Sequence, residues 1–236
     1  MLRIFQRVDG YRFNLDAVFL AAFAVEGKDP ERPLRVIDLG TGSGVVALLI
    51  ARGCPQWQVS AVEAQPSMAD LARRNAELNA LPVTVIEADW RTLGTPGRAG
   101  EYDLVVCNPP YFAMETGHLP SDADVAAARY ETRGSILDTV RAARRLVKGD
   151  GSVRFVYGIG RLPELLRALD DAGLALVRLR MVHAKAEDPA YAALVEAAPG
   201  SRRPLIVERA LIVHEHGGGF SDEVKALVGD PAAVPS

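Results

Sequence analysis

The 236-residue sequence predicts an α/β protein: one doubly wound, mostly parallel sheet with helices on both faces. Three observations carry this. Short apolar runs alternate with helical patterns from residue 34 to residue 182. The first run ends in an acid and a glycine-rich turn from which a helix starts at once. That run is short and mainly apolar, as in a buried parallel strand.

The elements follow in order. Leu34–Leu39 (LRVIDL) is the first strand, and Val45–Arg52 (VVALLIAR) is a helix closed by Gly53 and Pro55. Gln58–Glu63 is the second strand. Pro66–Asn79 is the next helix, with Pro66 in the first turn, where no backbone N–H is needed. Val83–Glu87 and Tyr102–Cys107 are strands separated by the loop TLGTPGRAG. Ser135–Val147 is an amphipathic helix ended by Lys148-Gly149-Asp150-Gly151, and Ser152–Tyr157 is the fifth strand. Leu162–Asp171 is a helix, followed by Leu174–Val182 and Leu205–His214 as the last two strands, which makes seven. The stretch Ala184–Arg203 between them lacks a full crossover helix, although Tyr191–Ala198 has room for a turn or two. This favours an antiparallel final pair. Residues 1–30 are expected to be an N-terminal cap segment, 31–216 the main domain, and 217–236 a C-terminal tail frayed at its end.

Composition bounds the rest. Apolar residues at 49% and charged residues at 24% describe a globular chain with a substantial core. Apolar stretches break well before the ~20 residues that cross a bilayer. The N-terminus lacks the pattern of a secretory signal. Two cysteines, Cys54 and Cys107, suit a reduced, cytoplasmic setting. The net charge of −3 does not advertise a polyanionic partner. Its distribution is uneven, however: residues 1–128 carry 11 Lys/Arg against 16 Asp/Glu, and residues 129–209 carry 15 against 10. A basic second half suits phosphates as well as a solvated surface. His118, His183, His214 and His216 show no metal-ligand spacing with the cysteines, so no metal is expected.

Asp38-Leu39-Gly40-Thr41-Gly42-Ser43-Gly44 is the strongest cofactor signal. The glycines permit a tight turn and close approach, and a helix follows. The spacing differs from that of a dinucleotide site. It suits a cofactor without a pyrophosphate, whose amino-acid part needs a backbone cradle and a carboxylate for its ammonium. Glu63, ending the second strand, is placed to accept hydrogen bonds from a ribose diol. Asp89 suits an adenine amino group, with Trp90 bordering the ring. Asn108-Pro109-Pro110-Tyr111 follows the fourth strand and offers carbonyls where two N–H groups are missing. The Asn108 side-chain oxygen and the Pro109 carbonyl together suit both hydrogens of a planar amine or amide. Tyr111 and Phe112 supply flat faces for that acceptor.

These motifs resemble the class I amino-methyltransferases that modify adenine N6, guanine N2 or glutamine amides. The resemblance implies a Rossmann-like fold with seven strands, mostly parallel, and an antiparallel last strand. Tyr11–Leu20 (YRFNLDAVFL), Ala128-Arg129-Tyr130-Glu131, Pro204-Leu205-Ile206-Val207 and Ser221-Asp222-Glu223 narrow it further. They are similar to the tRNA(Val) (adenine-N6)-methyltransferase family, whose members methylate the adenine just 3′ of the anticodon. By that resemblance Asp38, Gly40, Thr41, Gly42, Gly44, Glu63, Asp89 and Trp90 bind S-adenosyl-L-methionine, and Arg12 to Asp16 close over it. Asn108, Pro109, Pro110 and Tyr111 hold the target amine, with adenine stacked on Tyr111 and Phe112. Arg202 and Arg203 would hold the flanking phosphates of a tRNA. The alternatives are a protein-glutamine amide methyltransferase, an rRNA guanine-N2 enzyme and a non-catalytic binding module. Enzymes acting on release factors carry an N-terminal helical domain, whereas about thirty residues precede the first strand here, which favours the RNA reading.

Overall fold

The computed structural model describes residues 2–6, 14–94, 100–109, 135–200 and 203–229. Strands β1 (Arg35–Leu39), β2 (Gln58–Glu63), β3 (Val83–Glu87), β4 (Tyr102–Cys107) and β5 (Val147–Gly158) pair in parallel in the order β3-β2-β1-β4-β5. Beyond β5 lie β7 (Ala190–Pro199) and then β6 (Leu174–His183), with β7 antiparallel to both neighbours. Two short strands, β8 (Ile206–Val207) and β9 (Leu211–Ile212), run parallel to β6 at the outer edge.

Alternate side chains on these strands feed two apolar layers. Val36, Ala61 and Val106 pack with α1 (Leu15–Val25) and α2 (Val45–Gly53) on one face. Ile37, Val105 and Phe155 pack with α4 (Ile136–Leu146) and α5 (Leu162–Asp171) on the other. Burial on both faces explains why the middles of the central strands are mostly apolar. α3 (Pro66–Leu78) lies beside β2 and β3, and α6 (Asp222–Gly229) touches α1. No helix among the described residues is long and apolar enough to cross a membrane.

Two expectations are corrected. The last long strand is Ala190–Pro199, whereas Leu205–His214 supplies only two-residue strands. Alanine favours helix intrinsically, but in AYAALVEAAP six successive residues are buried between two strands and two layers, and that packing outweighs propensity. Leu205, Ile206 and Val207, apolar enough to suggest a core strand, are instead exposed on the edge. Second, Lys148–Gly151 is part of β5, which begins directly after α4. The pairing jumps from Tyr102↔Val147 to Leu104↔Ser152, and Gly151 fits there because a Cβ would lie 2.8 Å from the Asp103 carbonyl. Within the segment expected as a cap, residues 15–25 form α1, whose buried residues occupy most of its circumference; it lacks the one-sided pattern that announces a helix in sequence.

Candidate active site

The helix after β1 packs on one face and the helix that follows β4 on the other, so the sheet reverses its winding between these neighbours. A crevice forms outside the carboxyl ends of strands at such a point. The register brings the ends together: Leu39 pairs with Val62 on one side and Cys107 on the other. The glycine turn, Asp38, Glu63 and Asn108 therefore meet at one edge.

The turn is built from left-handed backbone. Gly40, Gly42 and Gly44 have φ of 69°, 58° and 88°, a region that costs other residues strain. The Thr41 N–H donates to the Val62 carbonyl at 2.9 Å, tying the turn to β2. Asp38 is 1% exposed and accepts from the Thr41 hydroxyl at 2.5 Å. It also accepts from the Ala47 N–H, so it caps α2 where the preceding Gly44 has no side chain. Burial pushes its carboxyl up to about 7 against those donors, and nearby Glu63 adds to the rise.

Glu63 bridges the turn. One oxygen accepts from Gly42 N at 3.0 Å and the other from Gln65 N at 2.9 Å. Each oxygen keeps a second acceptor site, so the carboxylate is oriented without being exhausted. Asp89 is differently committed: it caps the short turn Trp90–Thr92 and grips the Arg91 guanidinium at 2.6–2.9 Å. Hydrogen bonds from Arg91 hold its carboxyl below the usual range. The buried Trp90 reaches the glycine turn; a Cβ on Gly40 would lie 3.8 Å from its indole nitrogen.

Asn108 is half-buried and Pro109 buried, directly beyond the β4 edge. Asp16 lies in the first turn of α1, 4% exposed, and accepts from the Asn14 amide at 2.6 Å. Arg203 is not brought to this edge. Its segment precedes β8, where Ile206 pairs with Arg178 in mid-strand, so Arg203 lies toward the opposite end of the sheet. Arg12, Pro110, Tyr111, Phe112, Arg202 and the Ala128–Glu131 match lie outside the described residues.

Sequence reasoning missed two residues. Asn75 is fully buried in α3; its amide donates to the Ser43 and Phe5 carbonyls at 2.9 and 3.1 Å and accepts from Phe5 N at 2.7 Å. It fastens the N-terminal segment and the glycine turn to one helix. An asparagine inside an otherwise regular helical pattern was the available signal. Tyr191 was the other; it sat in a stretch read as a connection. Among the described residues no group of three or more His, Cys, Asp or Glu is placed to hold a metal.

Fold and site together define the Rossmann-like architecture of class I methyltransferases. The methyltransferase small domain family matches residues 17–157, and the chain belongs to that family. Its relatives include a release factor glutamine methyltransferase of Bordetella pertussis, 36% identical over 62% of this chain and 56% of the relative. A tRNA1(Val) (adenine(37)-N6)-methyltransferase of Aeromonas hydrophila is 32% identical over 89% of this chain and 86% of the relative. The chain thus spans less than two thirds of the first of these and most of the second. The crystal structure of a predicted O-methyltransferase from Agrobacterium tumefaciens superposes with a TM-score of 0.71 at 25% identity, covering 92% of this chain and 96% of that one.

Proposed function

We propose that the protein is an S-adenosyl-L-methionine-dependent N-methyltransferase acting, in the cytoplasm, on the exocyclic N6 amine of an adenine in a tRNA anticodon loop. The observation that carries the reading is the junction of Asn108-Pro109 with the glycine turn across the Leu39↔Cys107 register. The cofactor fits the residues present: a backbone cradle at Gly40–Gly44, a buried acid at Asp38 for an ammonium, and outward acceptor sites on Glu63 for a diol. Asp89 would have to share its carboxylate with Arg91 to take an adenine amine. Bound S-adenosyl-L-methionine supplies an electrophilic methyl group.

The chain's own part is positioning. The lone pair of an exocyclic amine is delocalised into the ring, which makes it a poor nucleophile. Two acceptors, the Asn108 side-chain oxygen and the Pro109 carbonyl, hold both hydrogens and favour a lone pair aimed at the cofactor. Such preorganised groups act most strongly as charge develops. The relative named for tRNA1(Val) adenine 37 is matched over most of both chains, which supports the RNA substrate. The release factor relatives support a second reading, a glutamine amide, because the same two acceptors serve a planar amide.

The test offers three substrates: unmodified valine tRNA, the same tRNA with the target adenine replaced by guanine, and a glutamine-containing release-factor peptide. Nucleoside mass spectrometry should find N6-methyladenosine in the first alone. Asn108→Ala should bind cofactor normally yet lose ~10²–10³ in rate. Label on the peptide and on no tRNA would establish the amide reading instead.

A further inference from the structure

Tyr191 is a large aromatic residue left 41% exposed at the reactive edge. The pairing of β6 with β7 steps from Val182↔Ala192 to His183↔Ala190, so Tyr191 is the extra residue of a β-bulge. A bulge re-aims the side chain it carries, and bulges gather next to active sites. Here the phenol is turned toward α1, its hydroxyl 3.4 Å from an oxygen of the buried Asp16. Burial and the Asp16 charge raise its pKa, so it stays neutral and donates. The ring is thus fixed at its polar end and open on its surface.

Its position follows from register. Ala192 pairs with Gly158 of β5, three residues beyond Phe155, the partner of Cys107. Two strand spacings across and three residues along put Tyr191 about 14 Å from Asn108. That is too far to touch the reacting amine and near enough for a neighbouring base of an opened loop. We infer that Tyr191 is a stacking platform for a base flanking the methylated one, held in place by Asp16. This rests on the RNA reading above. An adenine splayed toward Asn108 leaves its neighbours unstacked, and an aromatic face accepts any base because each has a π-face. Asp16 accordingly acts by orienting Tyr191 rather than through the cofactor alone.

The test uses the full chain and an unmodified valine anticodon stem-loop, with 2-aminopurine placed one or two nucleotides from the target. Tyr191→Phe keeps the ring but loses the Asp16 contact, so it should bind more weakly than wild type and more tightly than Tyr191→Ala. Tyr191→Ala and Tyr191→Leu should weaken binding and raise KM for the stem-loop by about 5- to 100-fold. Both should restore 2-aminopurine fluorescence that stacking quenches in wild type, and both should leave cofactor affinity unchanged. Tyr191→Leu retains apolar bulk and decides the matter if Tyr191→Ala unfolds. Equal KM and equal quenching in wild type and Tyr191→Leu would overturn the platform. A wild-type protein that neither binds nor labels the stem-loop would overturn the RNA reading itself, a failure visible before any variant is made.

Discussion

Asp38 has a structural duty and, on the proposed function, a cofactor-binding one. It caps α2 and fastens Thr41, yet its burial pushes its carboxyl up to about 7. An acid whose folded pKa is raised stabilises the fold below its unfolded pKa, and that contribution is lost as pH rises through about 7. A cofactor ammonium reverses the preference, because it favours the carboxylate. Binding below pH 7 must then release a proton. Cofactor affinity should therefore rise between pH 5.5 and 7, by at most about tenfold per pH unit. Titration calorimetry in two buffers of different ionisation enthalpy reads that proton, and in Asp38→Asn the release should vanish. A proton count that stays at zero in wild type would show that Asp38 is ionised before the cofactor arrives.

At the scale of elements, the decisive contact is where α2 leaves the glycine turn. Gly44 has a φ of 88°, and a Cβ there would lie 3.3 Å from the Ala72 Cβ on α3. Left-handed backbone costs a non-glycine residue about 1–2 kcal/mol, before the crowding of the two helices is counted. Gly44→Ala should lower Tm by roughly 2–8 °C in a chain of this size. Gly149→Ala is the contrast: its Cβ meets open space and its φ is ordinary, so the change should stay within about 0.5 kcal/mol. Thermal unfolding monitored by circular dichroism separates the two. The helix bounds also show what a sequence makes legible. The expected and observed bounds of Leu162–Asp171 coincide, since Pro163 opens it and Gly173 follows it. In Tyr191–Ala198 expectation and observation differ, because its alanines carry a helical preference that only the flanking strands override.

The whole molecule is joined by an ionic cluster that crosses several elements. Arg154 on β5 pairs with Glu196 on β7 at 3.1 Å, and Arg178 on β6 reaches Glu196, Glu26 and Glu208 at 3.2, 2.9 and 2.6 Å. Arg154 also donates to the Phe23 carbonyl, and both guanidinium groups lie over the Phe23 ring. The cluster thus holds α1 to the antiparallel half of the sheet, and α1 carries Asp16 to the reactive edge. Removing one member of a buried pair leaves an uncompensated charge, a loss of about 3–5 kcal/mol. Glu196→Ala should fall in that range in urea unfolding. Burial pushes the Glu196 carboxyl up, but Arg154 and Arg178 more than offset it and hold it below the usual range. A depressed acid contributes stability above its unfolded pKa and loses it as pH falls through the folded value. Acid unfolding should accordingly be less pH-dependent below about pH 4.5 in Glu196→Gln. A stability equal to wild type in Glu196→Ala would mean that the cluster contributes little.

The parallel half of the sheet, the glycine turn with its two acids, and the Asn108-Pro109 step are legible in the sequence alone. Each is written in local terms: apolar runs of strand length, glycines where φ is positive, an acid at a strand end. Gln58–Glu63, Val83–Glu87 and Tyr102–Cys107 consequently match their strands residue for residue. The antiparallel half is not legible there, since β7 owes its conformation to β5 and β6 on either side and to no pattern of its own. The same holds for the contacts of Asn75, Asp89 and Tyr191. Their partners lie 2 to 70 or more positions away, and spacing along the chain carries no information on which edge of the sheet, or which neighbouring guanidinium, a side chain will meet.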